Sequence, residues 1–218
     1  MRVKFCGITR PEDAREAARL GAWAIGLIHY ESSPRRVDPA VAAAIAAEMR
    51  RQVEVVGVFV NSSLDEVVSA VEDESLTMVQ LHGDEGPAFS AEVARRSGAK
   101  IIKALRVRSM ADVAGAEAFR TDFHLFDAHD RRAYGGTGES FDWELLAGRR
   151  SEVPAILSGG LRPGNVEAAV SVVQPFAVDV ASGVEAEPGV KDHALMSEFF
   201  DAAQAGSAPA VADAGSAT

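Results

Sequence analysis

Residues 1–28 read MRVKFCGITRPEDAREAARLGAWAIGLI, and one β–α–β unit is legible in them. Val3–Cys6 is a short apolar run that predicts a strand. Thr9 is placed to cap a helix opening at Pro11, where proline suits the first turn. Ala14, Ala17, Ala18 and Leu20 recur at helical spacing, and Gly21 supplies the stop. Ala24–Ile28 predicts the second strand. A helix between two strands is the connection that parallel pairing needs.

The same alternation continues outward. Asp38 caps and Pro39 opens a helix through Met49, followed by a strand at Val53–Val60. Ser63 caps a helix to Val71. A strand at Met78–Leu81, a helix at Pro87–Arg96 and a strand at Ile101–Leu105 come next. A weak helix over Ser109–Ala118 precedes the sixth strand, Phe123–Phe126. Residues 128–141 form a long polar loop, and Trp143–Leu146 begins a poorly marked helix. Strands at Ala155–Leu157 and Ala177–Val180 and helices at Asn165–Val172 and Asp192–Ala203 complete the order. The strands are short continuous apolar runs, as in parallel sheets buried on both faces. Eight such units in roughly 200 residues predict a single (β/α)8 TIM barrel, an α/β fold. A doubly wound dinucleotide fold would place GxGxxG after the first strand, and that motif is absent. Residues 1–203 are read as one barrel domain. Residues 204–218, QAGSAPAVADAGSAT, hold no aromatic or large aliphatic anchor beyond Val211 and are read as a disordered tail.

Composition narrows the function. The chain has 218 residues, 22 Lys+Arg against 32 Asp+Glu, and a net charge of −10. That balance argues against nucleic acid and against an acidic membrane surface as partners. Screening over about 8 Å lets local cations still hold an anionic small molecule. One cysteine excludes a disulfide framework, and the scattered histidines show no metal spacing. No apolar run reaches the ~18 residues of a membrane helix, and no signal peptide is apparent, so a cytoplasmic location is expected.

In a barrel the chemistry lies where strands end at their C-terminal side. Cys6-Gly-Ile-Thr9 follows the first strand, and His29–Arg36 (HYESSPRR) follows the second. Gln80 and His82 lie at the fourth, Arg106 follows the fifth, and Asp127 follows the sixth. Gly159 and Gly160 follow the seventh, and Asp179, Ser182 and Gly183 lie at the eighth. Two small-residue loops side by side expose backbone N–H groups, the usual phosphate site of such barrels. Arg35 or Arg36 can fork onto a carboxylate. Taken singly, Cys6 is either a buried small hydrophobe or a catalyst, and Asp127 either solvates a strand end or acts as an acid.

KFCGIT (4–9), SPRR (33–36), GVFVN (57–61), VQLHG (79–83), YGGTGESFDW (134–143), LSGGL (157–161) and FAVDVASGVEAEPGVKD (176–192) together resemble the phosphoribosylanthranilate isomerase family of tryptophan biosynthesis. The resemblance spans residues 2–200. It departs at Ile28-His29, where an aromatic is common beside the substrate's ring. The resemblance implies an Amadori rearrangement of N-(5-phosphoribosyl)anthranilate to 1-(2-carboxyphenylamino)-1-deoxyribulose 5-phosphate, without cofactor or metal. It implies Cys6 as the base and Asp127 as the acid. Arg35 is implied for the substrate carboxylate, Gly159, Gly160, Ser182 and Gly183 for the phosphate, and His82 and Asp179 for substrate contact or loop support. Lys4 is expected to favour the Cys6 thiolate, and apolar packing by Phe126 to raise the Asp127 pKa. Residues 134–140 are either a lid or an ordered turn. A bifunctional relative acting also in histidine biosynthesis would carry an aspartate where Cys6 stands, so a monofunctional enzyme is implied. The rival readings are a phosphosugar epimerase, an aldolase using Lys103 as Schiff-base lysine, and a non-catalytic phosphometabolite binder. The sequence does not separate monomer from homodimer.

Overall fold

The computed structural model describes residues 1–128, 143–147 and 149–207. The expected lid at 134–140 and the tail beyond Ser207 lie outside the described residues.

Eight parallel strands close into a barrel in chain order. They are β1 (Arg2–Cys6), β2 (Ala24–Ile28), β3 (Glu54–Phe59), β4 (Met78–Leu81), β5 (Lys100–Val107), β6 (Phe123–Ala128), β7 (Ala155–Ser158) and β8 (Ala177–Val180). The helices are α1 (Pro11–Leu20), α2 (Pro39–Met49), α3 (Leu64–Glu74), α4 (Pro87–Ser97), α5 (Met110–Gly115), α6 (Pro163–Val173) and α7 (His193–Gly206). Between β6 and β7 the described residues hold one 3-10 turn, Trp143–Leu145. A short antiparallel hairpin, β9 (Glu185–Glu187) and β10 (Val190–Lys191), follows β8.

Proline opens α1, α2, α4 and α6, positions where the missing N–H has no helical partner to lose. Asp38 caps α2 as the sequence predicts, and Ser63 caps α3 in a reciprocal box with Glu66. Thr9 does not cap α1: Arg10 takes that position, and the Thr9 hydroxyl instead donates to the Gly189 carbonyl at 2.5 Å. The closing helix runs to Gly206, three residues past its expected end at Ala203, so the chain from Gln204 is not tail from its start.

The period of two sorts the strand side chains into two cores. Phe5, Leu27, Val79, Leu81, Phe126 and Leu157 face the helices. Cys6, Val56, Val58, Met78, Ile102, Leu125 and Ile156 face inward. Trp23, Phe123 and Phe176 cluster at the N-terminal end, edge-to-face or tilted, with centroids 5.1–5.4 Å apart. Each such ring buries a large apolar area. This floor closes the barrel and leaves its other end as the mouth.

Candidate active site

A cavity of about 240 Å³ opens at the C-terminal end of the strands. It is lined by Cys6, Arg35, His82, Asp127, Ser158–Gly160, Asp179, Ser182 and Gly183, with Ile28 and Val58 among its apolar wall. Every residue to which the resemblance gives a role in base, acid or substrate contact therefore lies on one cavity, whereas Arg36, Gln80 and Arg106 are not among its lining.

The loops after β7 and β8 form one wall. Gly159 and Gly160 both adopt the left-handed region, at φ 88° and 63°, and residues Ser182–Val184 make a 3-10 turn. A Cβ on Gly183 would stand 1.9 Å from the Leu161 carbonyl oxygen. The two loops touch there, and only glycine permits it.

Cys6 ends β1, buried, beside Gly26 of the neighbouring strand. A Cβ on Gly26 would lie 2.7 Å from Cys6 Sγ and 3.1 Å from Lys4 Nζ, so thiol and ammonium share one small space. Lys4 Nζ donates to Asp179 Oδ1 at 2.8 Å, and Ser158 Oγ donates to Asp179 Oδ2 at 3.1 Å. Burial alone would lower Lys4, but Asp179 and Cys6 outweigh it and hold the lysine above its ordinary value. Burial pushes the Cys6 thiol up, and the pull of Lys4 does not cancel it. Lys4 thus acts on Cys6 in the expected direction, yet burial outweighs it.

On the far side of the mouth Asp127 is part of β6 rather than beyond it, in register with Arg106 and Ser158. Its side chain is 30% exposed, and Oδ2 lies 3.2 Å from His82 Nε2. Phe126 does not pack on it. Neighbours in a strand face opposite ways, and Phe126 lies in the outer core, where the Arg149 guanidinium sits 5.0 Å from its ring centre.

Arg35 reaches the cavity with its fork engaged. Nε and Nη2 donate to Glu185 at 2.8–3.0 Å, and Glu185 also accepts from Lys191 Nζ at 2.8 Å. Burial would raise Glu185, but these two cations hold it below its ordinary value. Lys191 is buried and lowered by that burial, with Glu185 offsetting it only in part. Sequence reasoning missed this Arg35–Glu185–Lys191 bridge, because Arg35 lies 150 residues from Glu185 and meets it only in the fold.

Two residues noted in the sequence lie outside the cavity. Lys103 points to the helix layer, where Nζ donates to Gly83 O and Glu85 Oε2, both at 2.8 Å. It cannot serve as an aldolase lysine in the mouth. His29 likewise turns outward, stacked on Phe59 at 4.8 Å, and leaves Ile28 as the cavity's lining.

Fold and site define a class: a (β/α)8 barrel with abutting glycine loops after β7 and β8 and a cysteine and an aspartate across its mouth. The model of the N-(5'-phosphoribosyl)anthranilate isomerase family matches residues 3–202, and the chain belongs to that family. The isomerase of Geobacter metallireducens is 44% identical over 205 residues, covering 94% of this chain and all of the relative. The crystal structure of phosphoribosyl anthranilate isomerase from Thermotoga maritima aligns with a TM-score of 0.87 at 41% identity, over 94% of this chain and 98% of that one. An isomerase in complex with reduced 1-(o-carboxyphenylamino)-1-deoxyribulose 5-phosphate aligns at 0.82 with 39% identity, over the same shares. Monomers generated from the dimeric Thermotoga maritima enzyme align at 0.83 with 38% identity, again over 94% and 98%. Among the described residues no helix is long and apolar enough to cross a membrane.

Proposed function

We propose that this barrel isomerises N-(5-phosphoribosyl)anthranilate in tryptophan biosynthesis with Cys6 as general base and Asp127 as general acid. The carrying observation is that these two groups face one cavity from strands separated by β7 and β8, above a wall of small-residue loops. Asp127 gives its proton to the furanose ring oxygen as the C1–O bond breaks, leaving an iminium at C1. Cys6 then takes the proton from C2, and the enolamine tautomerises to the ketone. No redox change occurs, and no cofactor is called for.

Ordinary pKa values put a proton on a thiol and none on a carboxyl at pH 7. The working arrangement is the reverse. Lys4 beside the thiol supports it, and the cationic iminium adds a further positive charge when it forms. The loops at Gly159–Gly160 and Ser182–Gly183 take the phosphate through backbone N–H groups. Arg35 takes the anthranilate carboxylate by exchanging part of its fork from Glu185. His82 supports Asp127, and Asp179 fixes Lys4. The partner is a phosphorylated small molecule, the assembly is a monomer or homodimer, and the location is the cytoplasm.

The test is turnover of phosphoribosylanthranilate made in situ, followed by loss of its fluorescence. The wild type should turn over, and Cys6→Ser and Asp127→Asn should each lose at least ~100-fold in kcat, within the range of acid–base groups. Arg35→Ala should raise KM strongly. An inactive wild type rejects the function; active variants at Cys6 or Asp127 reject the mechanism alone.

A further inference from the structure

We infer that Gln80 is a positioning residue for this reaction: its side-chain amide selects the tautomer of His82, which holds the Asp127 carboxyl at the mouth. The inference rests on the reading of Asp127 as the acid. Met78 and Gln80 alternate inward along β4 while Val79 and Leu81 face the helices, and His82 is two residues further along the inward face. Gln80 is fully buried, in register with Val58 of β3 and Ile102 of β5. An amide between two branched aliphatic residues costs free energy unless it is hydrogen-bonded. Methionine or leucine has nearly the same volume and would fill the layer without that cost.

The amide is only half used. Nε2 lies 2.8 Å from His82 Nδ1, whereas Oε1 is buried and has no hydrogen-bond partner among the described residues. An orphaned polar atom in a barrel interior calls for a physical reason. The NH2 group can only donate, so Nδ1 accepts and the ring proton sits on Nε2. That nitrogen lies 3.2 Å from Asp127 Oδ2, so in this tautomer the ring N–H donates to the Asp127 carboxyl oxygen. A half-turn of the amide brings Oε1 to Nδ1 instead. The ring proton then sits on Nδ1, and Nε2 offers a lone pair to a protonated Asp127. The two states differ by the proton that Asp127 gives to the ring oxygen and by which nitrogen carries the imidazole proton. Solvent can exchange the latter, because the ring is 26% exposed. The orphaned oxygen is thus the partner for the state in which the acid is loaded; the flip exchanges one unpartnered amide atom for the other and needs no change of shape in the core.

The experiment compares wild type, Gln80→Met and Gln80→Leu in two readouts, steady-state kinetics and the nitrogen chemical shifts of the His82 imidazole at a pH where it is neutral. The free wild type should show the Nε2–H tautomer. Both variants should show a mixture with Nδ1–H, and kcat should fall by less than the ~100-fold expected on removing an acid–base group itself, with KM little changed. Their thermal midpoints should equal or exceed that of the wild type, which separates this loss from misfolding. A variant that keeps both tautomer and kcat overturns the inference. So does one that loses kcat with the tautomer unchanged, which would assign the loss to packing. A wild type without turnover but with a variant-sensitive tautomer rejects the isomerase reading and leaves the control of His82 by Gln80 standing.

Discussion

Cys6 carries the sharpest conflict in the molecule. A base has to be ionised when it acts, yet the barrel interior raises the cost of a thiolate, and burial is the largest influence on it. Lys4 and Lys191 pull the other way, and Asp179 partly undoes their effect. The free protein's thiol should therefore titrate, by its ultraviolet absorbance, above the ordinary cysteine value of about 8.5. A midpoint at or below about 8.5 would show that the lysines outweigh burial and that the base is ready before substrate arrives. The cavity-lining residues themselves were legible in the sequence, because a barrel's topology places every strand end at one mouth. Their partners were not. Nothing local to Arg35 announces Glu185, and nothing local to Lys103 announces Glu85. Phe126 is a different case. A residue adjacent to Asp127 in a strand has to face the other way, so its outward turn could have been read from the alternation alone.

At the scale of elements, strong local signals were read well and short elements poorly. Proline starts and the Asp38 and Ser63 caps fixed helix openings, and β2, β4 and β8 fall at the predicted residues. The β9–β10 hairpin has strands of three and two residues, too short for any period to show. It matters because Glu185 and Lys191 sit on it. Its anchor is Asp13 of α1, fully buried, which accepts from Arg10, from His193 Nε2 at 2.9 Å and from the Lys191 backbone N–H at 3.2 Å. Burial would raise this carboxyl, but those donors outweigh it and hold it below its ordinary value. A lowered folded pKa means stability that is fully present above about pH 4 and lost as the pH falls through the folded value. Asp13→Asn should thus cost about 1.5–3 kcal/mol in denaturant unfolding at pH 7, the range for hydrogen bonds to a charged group. The gap to wild type should narrow at pH 3. An equal gap at both pH values would mean that the carboxylate's charge contributes nothing.

At the scale of the whole molecule, the closing helix decides where the folded unit ends. Composition alone placed the boundary at Ala203, since no aromatic or large aliphatic residue beyond one valine follows it to mark a buried face. The determinants are polar and backbone contacts that composition does not carry. Gln204 Nε2 donates to the Met1 carbonyl at 2.8 Å, and the Met1 ammonium lies 3.1 Å from Ser207 Oγ, so the last turn of α7 fastens β1 to the rest of the barrel. A Cβ on Gly206 would stand 2.5 Å from the Glu167 carbonyl, so α7 rests directly on α6 there. These contacts fall within residues 204–207, which a cut after Ala203 removes. A chain ending at Ser207 should keep the melting temperature and kcat of the full chain, because residues 208–218 offer only small and polar side chains and one valine. A chain ending at Ala203 should lose about 1–2 kcal/mol for the missing hydrogen bonds and final turn, a fall of roughly 2–8 °C for a domain of this size. Because β1 carries Cys6, the shorter chain should also lose activity at a lower temperature than the longer one. Equal melting curves for the two truncations would place the end of the folded unit back at Ala203. A drop already present at Ser207 would show that the final residues dock on the barrel.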